Sequence, residues 1–275
     1  MNESTVSPTP DSDKTRVLQC LKSLHLPAAR KAYLSQKDEP DRMEGMSFDE
    51  RLLEILISES ENRAANSIRN RLEDAHLANP LACLEKVDIR KDRNLSLEVL
   101  RDLKSCEFIS QKRHVSLEGA AGTGKTYLAC ALGHEACRKG YKVRYIRLPD
   151  ILNEFLVARK NGNTKKVREQ YLKKNLLILD EWLFMPVTIE YTLELLELVD
   201  ACQGKTSLIL CSQYPNEEWY HRIDCDRPGN ENSTLTESVL DRIIHQMDVL
   251  SISSKESMRK YYSPSGEPVQ HGKGK

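Results

Sequence analysis

The chain has 275 residues, 39% of them hydrophobic and 30% charged, enough apolar material for a core and too much for pervasive disorder or a fibrous repeat. Lys plus Arg balance Asp plus Glu at 41 each, so no global field marks nucleic acid or a membrane as the partner. Eight scattered cysteines contain no CxxC pair, which argues against a disulfide scaffold and against a zinc site. The polar start, MNESTVSPTPDSDK, lacks the apolar stretch of a signal peptide, and no apolar run reaches the ~18 residues of a membrane span. These features point to a soluble, reduced, cytoplasmic protein.

Residues 1–14 read as a disordered tail rich in Ser, Thr, Pro and Asp. Residues 15–88 read as a small all-α N-terminal domain. Apolar residues recur at helical spacing from Val17 to Ala29, interrupted by Pro27. A longer helix begins at Ser47-Phe-Asp-Glu50, a capping box in which hydroxyl and carboxylate satisfy free N–H groups reciprocally. From residue 89 to 254 the pattern changes to short β runs separated by helices. His114–Leu117, Lys142–Ile146, Leu176–Leu179, Ser207–Cys211 and Val249–Ile252 are five strands at spacings of roughly 30 residues, the signature of βα units on a parallel sheet. Residues 255–275 are a C-terminal tail. Charge separates the two parts, because residues 1–88 hold twelve basic and sixteen acidic side chains.

Directly after the first strand stand Gly119, Ala120, Ala121, Gly122, Thr123, Gly124, Lys125 and Thr126. They match GxxxxGK[ST] in full, with a strand before and a helix after, as a phosphate-binding loop requires. The glycines let successive N–H groups turn toward the phosphates, and the helix N-terminus adds its partial positive charge. Lys125 then bridges the β- and γ-phosphates of ATP, and Thr126 holds Mg²⁺. The run Leu176-Leu-Ile-Leu ends in Asp180 and Glu181. Asp180, at the C-terminal edge of a buried strand, suits the ordering of Mg²⁺. Glu181 suits activation of an attacking water, so two adjacent acids favour hydrolysis over transfer to a metabolite. No NKxD segment occurs, which argues against GTP.

Three further features carry open readings. Ser212-Gln213 ends another strand and resembles sensor 1 of the AAA+ ATPases, with Gln213 near the nucleotide; a strand-capping Ser-Gln is the alternative. Leu240-Asp-Arg242-Ile resembles the segment whose arginine reaches a neighbour's γ-phosphate; the alternative is a solvated helix arginine. Residues 157–174 hold Arg159, Lys160, Lys165, Lys166, Arg168, Lys173 and Lys174 against the single acid Glu169. Such a run is either a solvated face or a surface that binds duplex DNA through phosphates without reading bases.

Taken together, these residues resemble the IstB-type helper ATPases of insertion sequences, relatives of the DnaC helicase loaders and the DnaA initiator within AAA+. The resemblance runs from about Thr15 to Tyr261 and rests on Leu21–Leu26, Ser47–Leu53, Gly119–Leu132, Leu179–Trp182, Ser212–Trp219 and Leu240–His245. It implies an AAA+ core with a five-stranded parallel sheet, no C-terminal lid, and a helical N-domain. It also implies a homo-oligomer with ATP sites at subunit interfaces, assembly on double-stranded DNA, and a partner transposase encoded by the same element. A DnaC-like helicase loader shares the core and differs in its client. A small-molecule kinase needs a substrate lid and no Glu181, and a non-hydrolysing scaffold needs neither acid. Arg259 is a candidate substitute for sensor 2.

Overall fold

A computed structural model describes residues 10–89, 93–223, 225, 233–254 and 257–258, with the side chains of 10–12 excepted. The chain divides into two compact units, 1–69 and 70–275.

The first unit is all helical. Helix α1 spans Pro10–Ser23, α2 Pro27–Asp38, α3 Pro40–Met43, and α4 Phe48–Ala75 runs on into the second unit. Pro10, Pro27 and Pro40 each stand at a first helical position, where a missing N–H costs nothing and φ is already helical. Residues 10–14, expected within a disordered tail, are helical, and the rest of that expected tail lies outside the described residues. The capping box forms: the Ser47 N–H donates to Glu50 Oε2 at 2.7 Å and the Glu50 N–H to Ser47 Oγ at 3.2 Å. One turn of α4 buries Glu59, whose Oε2 accepts the N–H groups of Ala28 and Ala29 at 2.9 and 3.1 Å. A carboxylate thus caps the N-terminus of α2, where the helix dipole favours negative charge. Leu52, Leu53, Leu56 and Ile57, the apolar residues that mark α4 in the sequence, are exposed.

The second unit is a five-stranded parallel sheet with helices on both faces. Its strands are β1 (His114–Glu118), β2 (Val143–Arg147), β3 (Leu176–Trp182), β4 (Ser207–Ser212) and β5 (Met247–Ser251), in the order β2-β3-β4-β1-β5. Each expected strand is present within a few residues. One face is covered by α5 (Leu97–Ser105), α6 (Glu107–Ser110) and α7 (Lys125–Arg138), around Leu117, Leu128, Leu132 and Ile178. The other is covered by α8 (Leu148–Lys160), α9 (Thr164–Leu172), α10 (Ile189–Cys202) and α11 (Thr234–Ile244), around Phe155, Trp182, Leu195 and Trp219. With both faces buried, β3 and β4 carry continuous apolar runs, Leu176–Leu179 and Leu208–Leu210, rather than alternating ones.

Ala75, Leu77, Ala82 and Leu84 also belong to the first of these cores. Residues 75–88, assigned to the N-terminal domain on sequence, therefore pack with the sheet. The apolar side chains of this stretch are too irregularly spaced to announce their partner. No described helix is long and apolar enough to cross a membrane.

His114 opens β1, fully buried, and its Nδ1 accepts the Leu208 N–H at 3.1 Å. Burial pushes its pKa down to about 4, against 6.5 for the free side chain. As pH falls through that window the unfolded chain gains a proton that the folded chain refuses, so stability drops. The difference amounts to about 3 kcal/mol. The melting temperature should fall from pH 6.5 to pH 4, and His114→Gln should flatten the profile; parallel profiles in a thermal melt series would locate the acid-sensitive group elsewhere.

Candidate nucleotide-binding site

The sheet order brings the C-terminal ends of β1, β3 and β4 side by side, and the candidate residues gather there. Gly124 precedes α7, whose first residues are Lys125 and Thr126. The loop is closely overlain. A Cβ on Gly119 (φ +147°) would lie 2.1 Å from the Ile252 carbonyl oxygen, and one on Gly122 (φ +81°) 2.4 Å from Ser257 Oγ. The Met258 N–H donates to the Gly122 carbonyl at 2.8 Å. Of the 255–275 tail only Ser257 and Met258 are described, and they lie against this loop; Arg259 falls outside the described residues. Thr123 is buried, with Oγ1 donating to the Ala120 carbonyl at 3.0 Å. Lys125 Nζ donates to the carbonyls of Gly119 and Ala120 at 2.5 and 2.9 Å.

The two acids occupy unlike positions. Asp180 is buried, and its Oδ2 accepts both the Thr126 hydroxyl at 2.8 Å and the Tyr145 hydroxyl at 2.7 Å. Its Oδ1 accepts the Glu181 N–H at 2.8 Å. Burial and the adjacent Asp180 charge push the Tyr145 phenol well up, so that group stays a donor. Because the only hydroxyl proton of Thr126 goes to Asp180, the lone pairs of its oxygen are left for a cation. That arrangement fits Mg²⁺, which takes hard oxygen ligands and keeps several waters.

Glu181 turns away from the strand. Its φ of +55°, and +51° at Leu183, coincide with a register break between Leu179 and Trp182 in the β3–β4 ladder. The extra residue bends the strand end and sends the Glu181 carboxylate into the cavity. Glu181 Oε1 lies 3.7 Å from the guanidinium of Arg147, which also makes a two-pronged contact with Asp150 at 2.8 and 3.1 Å.

The two readings of Ser212-Gln213 separate by residue. Ser212 Oγ faces inward, donating to the Trp182 carbonyl at 3.2 Å and accepting the Trp219 indole N–H at 3.2 Å and the Tyr214 N–H at 3.1 Å. Gln213 is exposed and lines the cavity.

That cavity holds about 630 Å³ and takes in Ala121, Gly122, Gly124, Lys125, Thr126, Asp180, Glu181 and Gln213. Its remaining wall was not legible in the sequence. Ala78, Asn79, Lys86, Val87 and Asp88 come from the stretch between α4 and α5, together with Arg93. Buried Arg93 donates to the Thr123 carbonyl, and to that of Asp88 at 2.6 Å. No local pattern marks these residues, and the loop carbonyl that Arg93 reaches, at Thr123, lies thirty positions away.

Residues 19–265 match the family of IstB-like ATP-binding proteins. The chain belongs to that family. It is 37% identical over 171 residues to the IS1162 insertion-sequence ATP-binding protein of Pseudomonas fluorescens, covering 62% of this chain and 74% of that one. It is 30% identical over 252 residues to the insertion-sequence ATP-binding protein y4uH of Sinorhizobium fredii, covering 92% and 98%. Among solved structures, DnaI aligns with a TM-score of 0.54 at 17% identity over 67% of this chain and 94% of that one. AMPPCP-bound DnaA from Aquifex aeolicus aligns at 0.52 and 22% over 66%, the match spanning about half of that longer chain. The fold is thus that of the AAA+ P-loop proteins, and this IstB-like chain is an ATPase.

The remaining candidates of the IstB-like protein lie away from the cavity. Arg242, in the last turn of α11, donates to Asp200 Oδ1 at 3.0 Å and to the Ser238 carbonyl at 2.7 Å. The basic segment forms α8 and α9, but three of its seven cations are engaged. Arg159 and Arg168 converge on fully buried Glu194 at 2.5 and 3.2 Å, with Glu197 2.5 Å from Arg168. Lys174 pairs with Asp74. Of the seven cations named from sequence, Lys160, Lys165, Lys166 and Lys173 are exposed and make no ion pair among the described residues. Glu194 accounts for the two arginines, since a buried carboxylate requires cationic partners.

Proposed function

We propose that this IstB-like chain is a DNA-dependent ATPase of an insertion sequence, one that assembles on duplex DNA and assists the transposase encoded by the same element. The observation that carries it is the meeting of Lys125, Thr126, Asp180 and Glu181 in one cavity, in the unit that also presents the four unpaired lysines. The insertion-sequence association is supported by relatives named for it. The helicase-loader alternative has only the shared fold with DnaI behind it.

ATP enters with its phosphates against the loop N–H groups and the N-terminus of α7. Lys125 leaves the Gly119 and Ala120 carbonyls and contacts the β- and γ-phosphates. Thr126 and Asp180 are the residues that would hold Mg²⁺, which would supply positive charge to the phosphate oxygens. Glu181, on leaving the Arg147 contact, takes a proton from the attacking water. Gln213, which lines the same cavity, is the proposed partner that orients that water.

A salt titration tests the DNA half of the proposal. Each lysine that contacts a phosphate adds about 0.9 to the slope of log affinity against log salt. With ATP present, Ala at Lys160, Lys165, Lys166 and Lys173 should lower that slope by about 3 to 4 and remove DNA stimulation of hydrolysis, leaving ATP binding intact. Arg159 and Arg168 are kept, because losing them strands Glu194. Equal slopes and affinities for variant and wild type would show these lysines to be a solvated face.

A further inference from the structure

Tyr145 lies on β2, in register with Ile178 of β3, and neither the phosphate loop nor the acid pair includes it. Its hydroxyl nevertheless reaches the centre of the site, donating at 2.7 Å to the Asp180 oxygen that also accepts the Thr126 hydroxyl. Its ring packs partly buried against the core shared by α7 and the sheet. A carboxylate oxygen offers two in-plane lone pairs, and both on Oδ2 are taken by these donors. Oδ1 accepts one donor, the Glu181 N–H. The lone pair left for a cation-bound water is therefore on Oδ1, and the carboxylate plane is held from both sides. Without the Tyr145 proton, Oδ2 has only Thr126. Asp180 then keeps two of its three donors, Thr126 and the Glu181 N–H, so its carboxylate is less tightly held and the acceptor of the Thr126 hydroxyl is less fixed.

We infer that Tyr145 is a positioning residue that, acting through Asp180, sets the geometry in which Thr126 and Oδ1 receive the Mg²⁺ of the nucleotide. The inference rests on the proposed ATP and Mg²⁺ reading of the site. Tyr145 touches neither nucleotide nor cation; it removes a rotational freedom that cation binding would otherwise have to freeze.

The test is calorimetric and needs no turnover. ADP is titrated into the full chain with Mg²⁺ and again with EDTA, and the ratio of the two affinities measures how strongly the cation is coupled to the site. Tyr145→Phe keeps the ring and removes only the hydroxyl. It should reduce that ratio roughly tenfold while leaving ADP affinity in EDTA and the melting temperature near wild type. In hydrolysis assays the half-saturating Mg²⁺ concentration should rise, with kcat recovered at excess Mg²⁺. Asp180→Asn should lower the ratio as well, and adding Tyr145→Phe to it should change nothing further, since the path runs through that carboxylate. An unchanged ratio in Tyr145→Phe overturns the inference, and so does an equal additional loss in the double variant. A wild-type chain whose ADP affinity is the same with Mg²⁺ and with EDTA overturns the metal reading of the site, and this inference with it.

Discussion

Glu181→Gln should leave ATP bound and slow hydrolysis by about 10²–10⁴-fold, the range for loss of a general base. The substitution keeps the shape and the hydrogen-bonding reach of the side chain, and the contacts of Asp180 to Thr126 and Tyr145 do not involve it. Lys125→Ala acts one step earlier. It removes the only loop side-chain cation, and nucleotide binding itself should fail. Comparing nucleotide binding with single-turnover hydrolysis separates the two effects. Glu118, the acid that ends β1 just before the loop, is poorly suited to the role. It is buried on β1, does not line the cavity, and is held above the usual carboxylate range by burial and by the nearby Glu217 charge. Wild-type turnover in Glu181→Gln would remove Glu181 from the mechanism.

Arg242→Ala should abolish turnover and spare ATP binding if this arginine completes a neighbour's site, because an arginine supplied in trans contributes about 10³–10⁵ in rate. In the single chain Arg242 is held by Asp200 and the Ser238 carbonyl, so assembly must exchange these contacts for a phosphate. Loss of the Asp200 pair alone is a small effect, about 0–1 kcal/mol of stability for a partly exposed ion pair. The two possibilities are therefore far apart in magnitude. Mixing Arg242→Ala with Lys125→Ala chains should restore part of the activity, since one junction can combine an intact loop with an intact arginine. Full activity of Arg242→Ala by itself, or no rescue where mixed assemblies demonstrably form, would exclude a role in trans.

How much of this was legible in the sequence depends on how far each signal reaches along the chain. The five strands and the phosphate loop are local patterns: an apolar run and a glycine turn declare themselves within ten residues, and each is found where expected. The wall formed by Ala78, Asn79, Asp88 and Arg93 is not local, and nothing in their own neighbourhood says that they border the cavity. Tyr145 was invisible for the same reason, as its partner Asp180 stands 35 positions on. The basic segment misled in the opposite direction. Seven cations within residues 159–174 imply a solvated or DNA-facing strip, yet Glu194, 26 positions from Arg168, engages two of them, Arg159 and Arg168. A count of charges sees the cations and not the buried anion they serve.

The left-handed backbone at Glu181 sets the needs of the fold against those of the site. For a residue with a Cβ this conformation costs about 1–2 kcal/mol, and only Gly, Asn and Asp enter it readily. A redesign that scored position 181 for stability alone would choose Gly or Asn and return a better-folded protein without the carboxylate proposed as its base. Variation among natural chains at this position would then be informative: a Gly or Asn here would mark a copy released from selection for turnover, however intact its phosphate loop.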